Sequence, residues 1–576
     1  MAGTRQVLSE SNRKNPFRYQ TATILLFILV IAAYLRLFNL GQSPPGLNQD
    51  EAANAWNAHC LLKTGKDQVG VSWPIFYMRA LGGNRSTVHV YLLLPFQAIG
   101  GMNISTTRVP AAIGGVLTVL LVYFIGRRMF GRTTGLTAAA LLALNPWHIQ
   151  QSRWGHGADL GALFGVIPLA MMLWANMPLD DEGFPKRKEM RLGAPDKTRS
   201  PRPVLATLAG AAAGLCCYSY PAMRLFVPVF LLAVIMMTLP AWWNQLKTRR
   251  GALAIGAFAF GFAVTFIPLA WEHIFHFEGV ARYRQALFLW DAADPLYVAL
   301  YKIAARYIQH FGPDFLFING DHYPIQSPPD IGQFHWYMLP LMLIGLFVLV
   351  RRFKCSLAAR VLLAFVIVYP VGDSFFRHIS LHSLRSLPGL CSLVLLAALG
   401  ATAAGRWLWK KNRRLTFITT AVFALVVVGL NARYLHRFYG EFNRRPEIYH
   451  SFHVDLIEAC RWLRGRLDDV DAVFCTTEGM NQPYIITLVA LEYEPQRWFR
   501  EGRDFITPGN YDFYTRYGKM HFMYGRSFVP ALTELQQSAE DKNVIFIVRP
   551  GELGLKNPIH RIYRPDGREV LWICRL

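Results

Sequence analysis

Residues 36–53 read Arg36-Leu-Phe-Asn-Leu-Gly-Gln-Ser-Pro-Pro-Gly-Leu-Asn-Gln-Asp50-Glu51-Ala-Ala, and they lead from the first long apolar run of the chain into a polar segment. That run, residues 21–38, is long enough to cross a bilayer as a helix. Two adjacent carboxylates, Asp50 and Glu51, are therefore expected at the membrane surface. Acids beside hydrocarbon are costly to desolvate, which makes the pair a functional candidate. The alternative is a solvated loop in which Asp50 caps a helix.

The composition is that of a membrane protein. Of the 576 residues, 53% are hydrophobic and 14% aromatic, and the mean hydropathy is +0.23. A soluble protein of this length is less apolar. The net charge of +23 would suggest nucleic acid as a partner of a soluble chain. Here Lys and Arg lie mostly in short clusters between apolar runs, where they set membrane orientation, so the pattern does not favour nucleic-acid binding.

Eleven apolar runs have about the length of a membrane span and predict an all-α polytopic protein. They cover residues 21–38, 108–126, 133–150, 158–177, 203–221, 224–243, 251–271, 334–350, 358–376, 384–405 and 415–433. A further run, 88–101, is short and contains Pro95. If it does not cross, all basic clusters face the cytoplasm together with the N-terminal tail, residues 1–20. We therefore expect it to lie on the surface or to re-enter the membrane.

This topology gives the transmembrane part, residues 21–435, a polar outer face in the inner or plasma membrane. The outer loops 39–107 and 272–333 lie there, and Asp159 opens a span on the same side as the acid pair. Three acids on one face can share a proton or a cation. Residues 436–576 contain dispersed charges and short runs rich in β-branched residues, which predict a small soluble α/β domain on that outer face.

A set of short motifs follows one order along the chain. It comprises Arg36, the Pro44-Pro45 turn, Asp50-Glu51, Gly100, Arg108-Val-Pro110, Gly126-Arg-Arg-Met-Phe-Gly131, Leu144-Asn-Pro146, and Ser152-Arg153 through Asp159. This ordered set resembles the GT-C glycosyltransferases, and among them the protein O-mannosyltransferase and aminoarabinose-transferase family. The resemblance is strong over residues 30–160 and thins towards 435. It implies a multi-span fold with an acidic first outer loop and a sugar donor carried on a polyprenyl phosphate.

One segment departs from the family pattern. Many members carry His-Pro-Pro or Lys-Pro-Pro before the second spanning helix, whereas this chain has Asn84-Arg-Ser-Thr-Val-His89. The donor-phosphate contact of that segment is therefore not carried over, and Arg85 and His89 are the candidates to replace it.

The implied reaction needs a base and a site for phosphate. An acceptor hydroxyl must lose its proton as it attacks C1 of the sugar, and Asp50 is the candidate general base. Inversion is expected because a single displacement needs no enzyme-linked intermediate. Cations would stabilise the leaving lipid phosphate. The outer-face candidates, each weighed against headgroup contact or a structural role, are Arg282, Arg284, His378, His382 and Arg385.

Two further groups of outer-face residues are candidates. Glu51 and Asp159 offer the oxygen ligands that a divalent cation such as Mg²⁺ or Mn²⁺ prefers, or they hold Arg108 or Arg153 instead. Tyr218, Tyr220 and Arg224 are the substrate-binding candidates for the sugar or its lipid, and Asp321 and His322 are substrate-binding candidates as a lid over the site. The alternatives are an interfacial anchor for the tyrosines and a plain turn for the last two.

Other functional classes fit part of the pattern. A secondary transporter would show paired, interrupted halves and charges near mid-bilayer, whereas the acids here cluster at one face. A lipid-linked-glycan polymerase or ligase, or a non-catalytic binder, fits an outer-face site as well as a glycosyltransferase does. The sequence does not distinguish a protein, a lipid or a growing glycan as the acceptor.

Overall fold

The computed structural model describes residues 16–180, 200–275, 289–291, 293–377, 380–507, 512–524 and 543–575. All eleven predicted spans contain helix. The α-helices before the C-terminal domain are α1 (Pro16–Leu37), α2 (Gln49–Thr64), α3 (Val88–Gly100), α4 (Ile104–Phe130), α5 (Arg132–Ala143), α6 (Pro146–Gln151), α7 (Gly161–Trp174), α8 (Pro203–Cys216), α9 (Pro221–Leu246), α10 (Arg249–Phe275), α11 (Leu296–Gln309), α12 (Met338–Arg352), α13 (Leu357–Val368), α14 (Val371–Ser374), α15 (Ser383–Ser386), α16 (Leu390–Lys411) and α17 (Arg413–His436).

Seven helical segments within the described residues are long and apolar enough to cross a membrane. They are Tyr19–Leu37, Ile104–Phe130, Pro221–Leu246, Arg249–Phe275, Leu357–Ser374, Ser383–Lys411 and Arg413–Phe442. Shorter apolar helices, among them Ala158–Trp174 and α8, lie between them. The fold class predicted from the sequence, an all-α polytopic membrane protein with a C-terminal α/β domain, is confirmed.

Neighbouring spans approach closely where glycines face each other. A Cβ on Gly210 of α8 would collide with the Phe258 carbonyl oxygen of α10, and a Cβ on Gly261 of α10 would collide with the Thr207 carbonyl oxygen of α8. Small residues allow helix backbones in a membrane to come into van der Waals contact. This pair of helices is therefore held by backbone-to-backbone packing.

The short apolar run at residues 88–101, on which the predicted topology depends, forms α3, a helix of 13 residues that contains Pro95. A helix of that length extends about 20 Å, which is shorter than the roughly 30 Å hydrocarbon core of a bilayer. It packs against α2 and α4. These dimensions agree with the predicted surface helix.

The C-terminal domain is built on a seven-stranded mixed sheet, and a two-stranded hairpin of β1 (Met78–Ala80) and β2 (Gly83–Arg85) lies in the first outer loop. The strands of the domain are β3 (Ala472–Thr476), β4 (Arg503–Ile506), β5 (Phe513–Tyr517), β6 (Met520–Met523), β7 (Val544–Val548), β8 (His560–Tyr563) and β9 (Glu569–Arg575), and its α-helices are α18 (Pro446–Ser451), α19 (Val454–Leu463), α20 (Pro483–Ala490) and α21 (Pro495–Arg500). The strand order is β4-β5-β6-β3-β7-β9-β8; β3 pairs in parallel with β6 and β7, and the other pairs are antiparallel.

Helix α2 of the first outer loop shares its core with the C-terminal domain. Its Ala52, Trp56 and Cys60 belong to the same buried apolar cluster as Trp498 of α21. The rings of Trp56 and Trp498 meet edge-on at 5.9 Å, and Trp498 Nε1 donates to the Gln68 carbonyl oxygen at 2.8 Å. The domain therefore fixes the helix whose first turn carries the acid pair.

Candidate functional site

The acid pair lies in the first turn of α2. Asn48 caps this helix, since its Oδ1 accepts a hydrogen bond from the Asp50 amide at 3.1 Å. Glu51 completes a capping box by accepting from the Asn48 amide at 3.1 Å. The alternative in which Asp50 is the cap is therefore wrong. The capping role falls to Asn48, which leaves the Asp50 side chain available for other partners.

Asp50 is held by an arginine and a histidine from distant parts of the chain. Arg85 Nη1 lies 2.5 Å from Oδ1, and His156 Nε2 lies 3.0 Å from Oδ2. Burial alone would raise the pKa of this carboxyl, but Arg85 and His156 outweigh burial and lower it. Asp50 is therefore an ionised carboxylate in a cationic setting.

Glu51 has a structural environment although it is the next residue. Its side chain and that of Arg108 are both fully buried, with Arg108 Nε 2.7 Å from Oε1 and Nη2 2.9 Å from Oε2. The Gly155 amide also donates to Oε1 at 2.9 Å. Arg108 donates further to the carbonyl oxygens of the Leu40–Gly46 loop. This pair ties α4 to the first outer loop, as one of the sequence alternatives predicts.

A cavity of about 190 Å³ opens beside Asp50. Four of the residues singled out from the sequence line it together, namely Asp50, Arg85, Tyr220 and Arg385. The remaining lining residues are Asn54, Asn84, Ser86, His156, Gly157, Ser219, Pro221, Ala222 and Phe376. The cavity thus lies between the first outer loop, the start of α9 and α15.

Arg385 is positioned by a buried ionic cluster that sequence reasoning missed. Asp373 accepts from Arg306 Nη2 at 2.8 Å, has His310 Nε2 at 3.3 Å, and lies 3.7 Å from Arg385 Nη1. The Arg385 guanidinium also lies over the Phe376 ring, 5.3 Å from its centroid. It hydrogen-bonds Tyr220. Arg385 therefore faces the cavity from a rigid support.

His156 is a second residue that the sequence did not single out. It interacts with Asp50 and lines the cavity, and its ring meets that of Tyr220 at 6.2 Å. Its position three residues before Asp159, inside a motif that was recognised, was the signal available.

Several predicted residues have partners away from the cavity. Tyr218 donates to the Thr265 carbonyl oxygen at 2.9 Å, and Arg224 Nη1 contacts His273 Nε2 at 2.5 Å. His89 is buried, with Nε2 3.3 Å from the Thr107 carbonyl oxygen. These three side chains bridge elements of the fold and do not line the cavity.

Asp321 and His322, in the segment Gly320-Asp321-His322, also do not line the cavity, and their environments differ. Asp321 is buried and accepts from Ser380 Oγ and the Ser383 amide, both at 2.8 Å. Burial raises the pKa of this carboxyl although those hydrogen bonds oppose the effect. His322 is exposed and pairs with Asp314 at 2.7 Å. Asp321 thus anchors the outer loop onto the start of α15.

The other predicted phosphate ligands are not brought to the cavity by the described structure. His382 donates its backbone amide to Asp373 Oδ2 at 3.0 Å. The remaining three, Arg282, Arg284 and His378, lie outside the described residues.

The residues predicted to bind a divalent cation do not fit one. Both Glu51 oxygens accept from Arg108, and Asp159 Oδ1 accepts from the Gly157 amide. The two Asp50 oxygens contact Arg85 and His156. Over the described ranges, no group of three or more His, Cys, Asp or Glu side chains is placed to hold a metal ion.

Comparison with known proteins places part of the site in a matched segment. Residues 84–176 match the family model described as dolichyl-phosphate-mannose-protein mannosyltransferase. The segment includes Arg85, Arg108 and His156 and ends before Tyr220. A search of curated protein sequences finds no significant match to the chain.

Two solved structures are similar over most of the chain. ArnT from Cupriavidus metallidurans bound to undecaprenyl phosphate has 12% identity and a TM-score of 0.50, covering 97% of this chain and 98% of that one. The archaeal oligosaccharyltransferase AglB from Archaeoglobus fulgidus, in complex with an inhibitory peptide and a dolichol-phosphate, has 15% identity and a TM-score of 0.47. That match covers 82% of this chain and 64% of AglB, so the chain spans less than two thirds of that protein's length.

The likeness to ArnT shows a shared fold over nearly the whole length of both chains. Together with the matched segment, this shared fold agrees with the resemblance to GT-C glycosyltransferases that the sequence predicts. The chain is therefore an integral membrane protein with the GT-C glycosyltransferase fold.

Proposed function

We propose that the protein transfers a sugar from a polyprenyl-phosphate donor to an acceptor hydroxyl, with inversion, on the outer face of the membrane. The observation that carries the proposal is one cavity that contains the Asp50 carboxylate and the Arg85 and Arg385 guanidinium groups. These residues come from three remote parts of the chain. A base beside two cations is the arrangement that transfer from a phosphate leaving group requires.

Asp50 is the general base of the proposed reaction. The acceptor oxygen forms a bond to C1 of the sugar, the bond from C1 to the phosphate oxygen breaks, and the acceptor proton passes to Asp50. Because the displacement occurs once, the configuration at C1 is inverted. The fixed start of α2 supports this role, since Asn48 and Glu51 hold the first turn in place.

Arg85 and Arg385 bind the phosphate of the donor. Guanidinium groups match phosphate geometry and keep their charge at all physiological pH values. Negative charge grows on the phosphate as the C1–O bond breaks, so these cations favour the transition state. The cavity is lined by two guanidinium groups and one carboxylate, so a bound phosphate anion would balance the remaining positive charge.

The sugar is proposed to be a mannose-like hexose, which the description of the matched family favours. The acceptor is a protein, a lipid or a growing glycan. The outer face of the inner or plasma membrane is the proposed location of the cavity and of the C-terminal domain, in keeping with the basic clusters between spans.

Replacement of Asp50 by Asn tests the base directly. The purified protein is supplied with polyprenyl-phosphate sugars and membrane acceptors, and turnover is compared with that of the parent. We expect a loss of about 10² or more in kcat, the usual contribution of a general base, with binding of the lipid retained. Asp314→Asn, which changes an acid of the outer loop that is 54% exposed, is the matched control and should retain activity. Unchanged transfer by Asp50→Asn would reject the assignment.

A further inference from the structure

Both oxygens of the proposed base are already engaged in the cavity. Arg85 contacts Oδ1 and His156 contacts Oδ2, at 2.5 and 3.0 Å. Tyr220 and Tyr323 are also close enough to interact with the carboxylate electrostatically. A carboxylate whose two oxygens are already paired, here with Arg85 and His156, is a poor proton acceptor, because an incoming hydroxyl must displace one of these partners.

The two partners differ in how they are held. His156 lies between aromatic rings, 6.1 Å from Trp154 and 6.2 Å from Tyr220. Arg85 ends the short hairpin formed by β1 (Met78–Ala80) and β2 (Gly83–Arg85), and its side chain is 21% exposed, against 17% for His156, so the two differ in the ring packing of the imidazole and in the length of the arginine side chain rather than in exposure. Arg85 is therefore the partner that can leave Asp50 without breaking the core.

A phosphate in the cavity offers Arg85 a better partner. A phosphate group presents several oxygens that a guanidinium can bind through two parallel hydrogen bonds, which is stronger than the single contact with Asp50 Oδ1. Arg385 faces the same cavity and can bind the same anion. The exchange costs little charge separation, because Arg85 moves from one anion to another within a single cavity.

We propose that Arg85 masks Asp50 while the cavity lacks a donor, and that the lipid-linked phosphate withdraws Arg85 and so frees Oδ1 for the acceptor hydroxyl. This inference rests on the proposed function. The lipid phosphate binds first, and the acceptor meets a competent base only afterwards. Arg85 thereby links the order of binding to the chemistry.

The exchange is tested by chemical labelling of Asp50 in the full-length protein. A water-soluble carbodiimide with an amine is applied at pH 6, and modification is quantified by peptide mass spectrometry with and without undecaprenyl phosphate. Loss of the Arg85 contact raises the protonated, reactive fraction of Asp50. We expect the labelling rate to rise about tenfold, the effect of one pKa unit. Glu51, in the same peptide but buried against Arg108, is the internal control and stays unlabelled.

The variant Arg85→Gln removes the mask. We expect its Asp50 to react at the raised rate without lipid, and undecaprenyl phosphate to add no further increase. Inorganic phosphate is the comparison for the source of the anion, and we expect it to act only at much higher concentration because it lacks the lipid tail. Equal potency of the two phosphates would overturn the assignment to a lipid-linked phosphate.

Binding of undecaprenyl phosphate is measured in parallel by thermal shift, so that two failures can be told apart. If the lipid binds and the labelling rate of the parent stays the same or falls, the exchange is overturned and the proposed function stands. Slow labelling of Asp50 in Arg85→Gln would overturn it as well. If the lipid does not bind at all, both proposals fall.

Discussion

At the scale of single residues, two adjacent carboxylates have opposite environments. Asp50 lines a cavity and contacts Arg85 and His156, whereas Glu51 is sealed from water against Arg108. Helical geometry explains the difference, because consecutive side chains on a helix point about 100° apart and so face different neighbours. Sequence adjacency therefore suggested a shared role that the fold does not give them.

Glu51→Gln should destabilise the protein far more than Asp50→Asn. Removing the charge of Glu51 leaves Arg108 buried and unpaired, which costs about 3 kcal/mol or more in unfolding free energy. The Asp50 pair with Arg85 is partly exposed, so Asp50→Asn should cost about 1 kcal/mol or less. Thermal unfolding in detergent compares the two variants with the parent. Equal melting temperatures for both would contradict the separation of roles.

The pH dependence of transfer should depend on Arg85. Burial raises the Asp50 pKa, but Arg85 and His156 lower it by more, so Asp50 stays an ionised base below the usual titration range of Asp. In the enzyme without donor, where Arg85 contacts Asp50, kcat/KM for the donor should therefore be lost only as the pH falls through that lowered pKa. In Arg85→Gln the acid limb of kcat/KM for the donor should move to higher pH. If the acid limb of kcat/KM in Arg85→Gln stays at the pH found for the parent, a group other than Asp50 controls that limb.

Site residues that belong to local sequence motifs could be predicted, whereas those held by contacts between residues far apart in the sequence could not. Asp50, Arg85, Tyr220 and Arg385 were singled out by local motifs and resemblance. Asp373 was not, because it lies inside an apolar run and its partner Arg306 is 67 positions away. The spacing of Asn48 and Glu51 is a local capping signal, and it would have removed Asp50 from consideration as a cap.

At the scale of elements, hydropathy was enough to locate the spans. A helix that faces lipid must be apolar along its length, and the seven helical segments of the described residues that are long enough to cross a membrane all coincide with predicted runs. Helix α2 was not predicted, since its buried face contacts the C-terminal domain, and such long-range packing leaves no periodic apolar run. In that domain the predicted runs rich in β-branched residues, 472–475, 544–548 and 570–574, coincide with β3, β7 and β9.

Gly261→Ala should destabilise the packing of α8 against α10. A Cβ at this position collides with the Thr207 carbonyl oxygen, and overpacking of that kind costs about 1–3 kcal/mol. Gly256→Ala is the matched control in the same helix, because nothing lies within 4 Å of its Cβ position. Melting temperatures in detergent should fall for the first variant only. A similar fall for both would indicate a loss of helix flexibility and contradict the packing argument.

At the scale of the whole molecule, the proposed orientation can be tested with a native cysteine. Cys355 is exposed, whereas the other seven cysteines are buried, and it follows a basic cluster at the end of α12. A membrane-impermeant maleimide should label it only after permeabilisation. Cysteine placed at exposed Lys556 of the C-terminal domain should be labelled in intact spheroplasts. Labelling of Cys355 in intact spheroplasts would reverse the proposed topology.

The proposed transfer reaction depends on where a lipid phosphate binds. An experimental structure with undecaprenyl phosphate measures this directly. We expect the phosphate oxygens within hydrogen-bonding distance of both Arg85 and Arg385, with the lipid tail leaving the cavity beside the spans. A phosphate bound elsewhere, with Arg85 still on Asp50, would contradict the assignment of this cavity as the site of transfer.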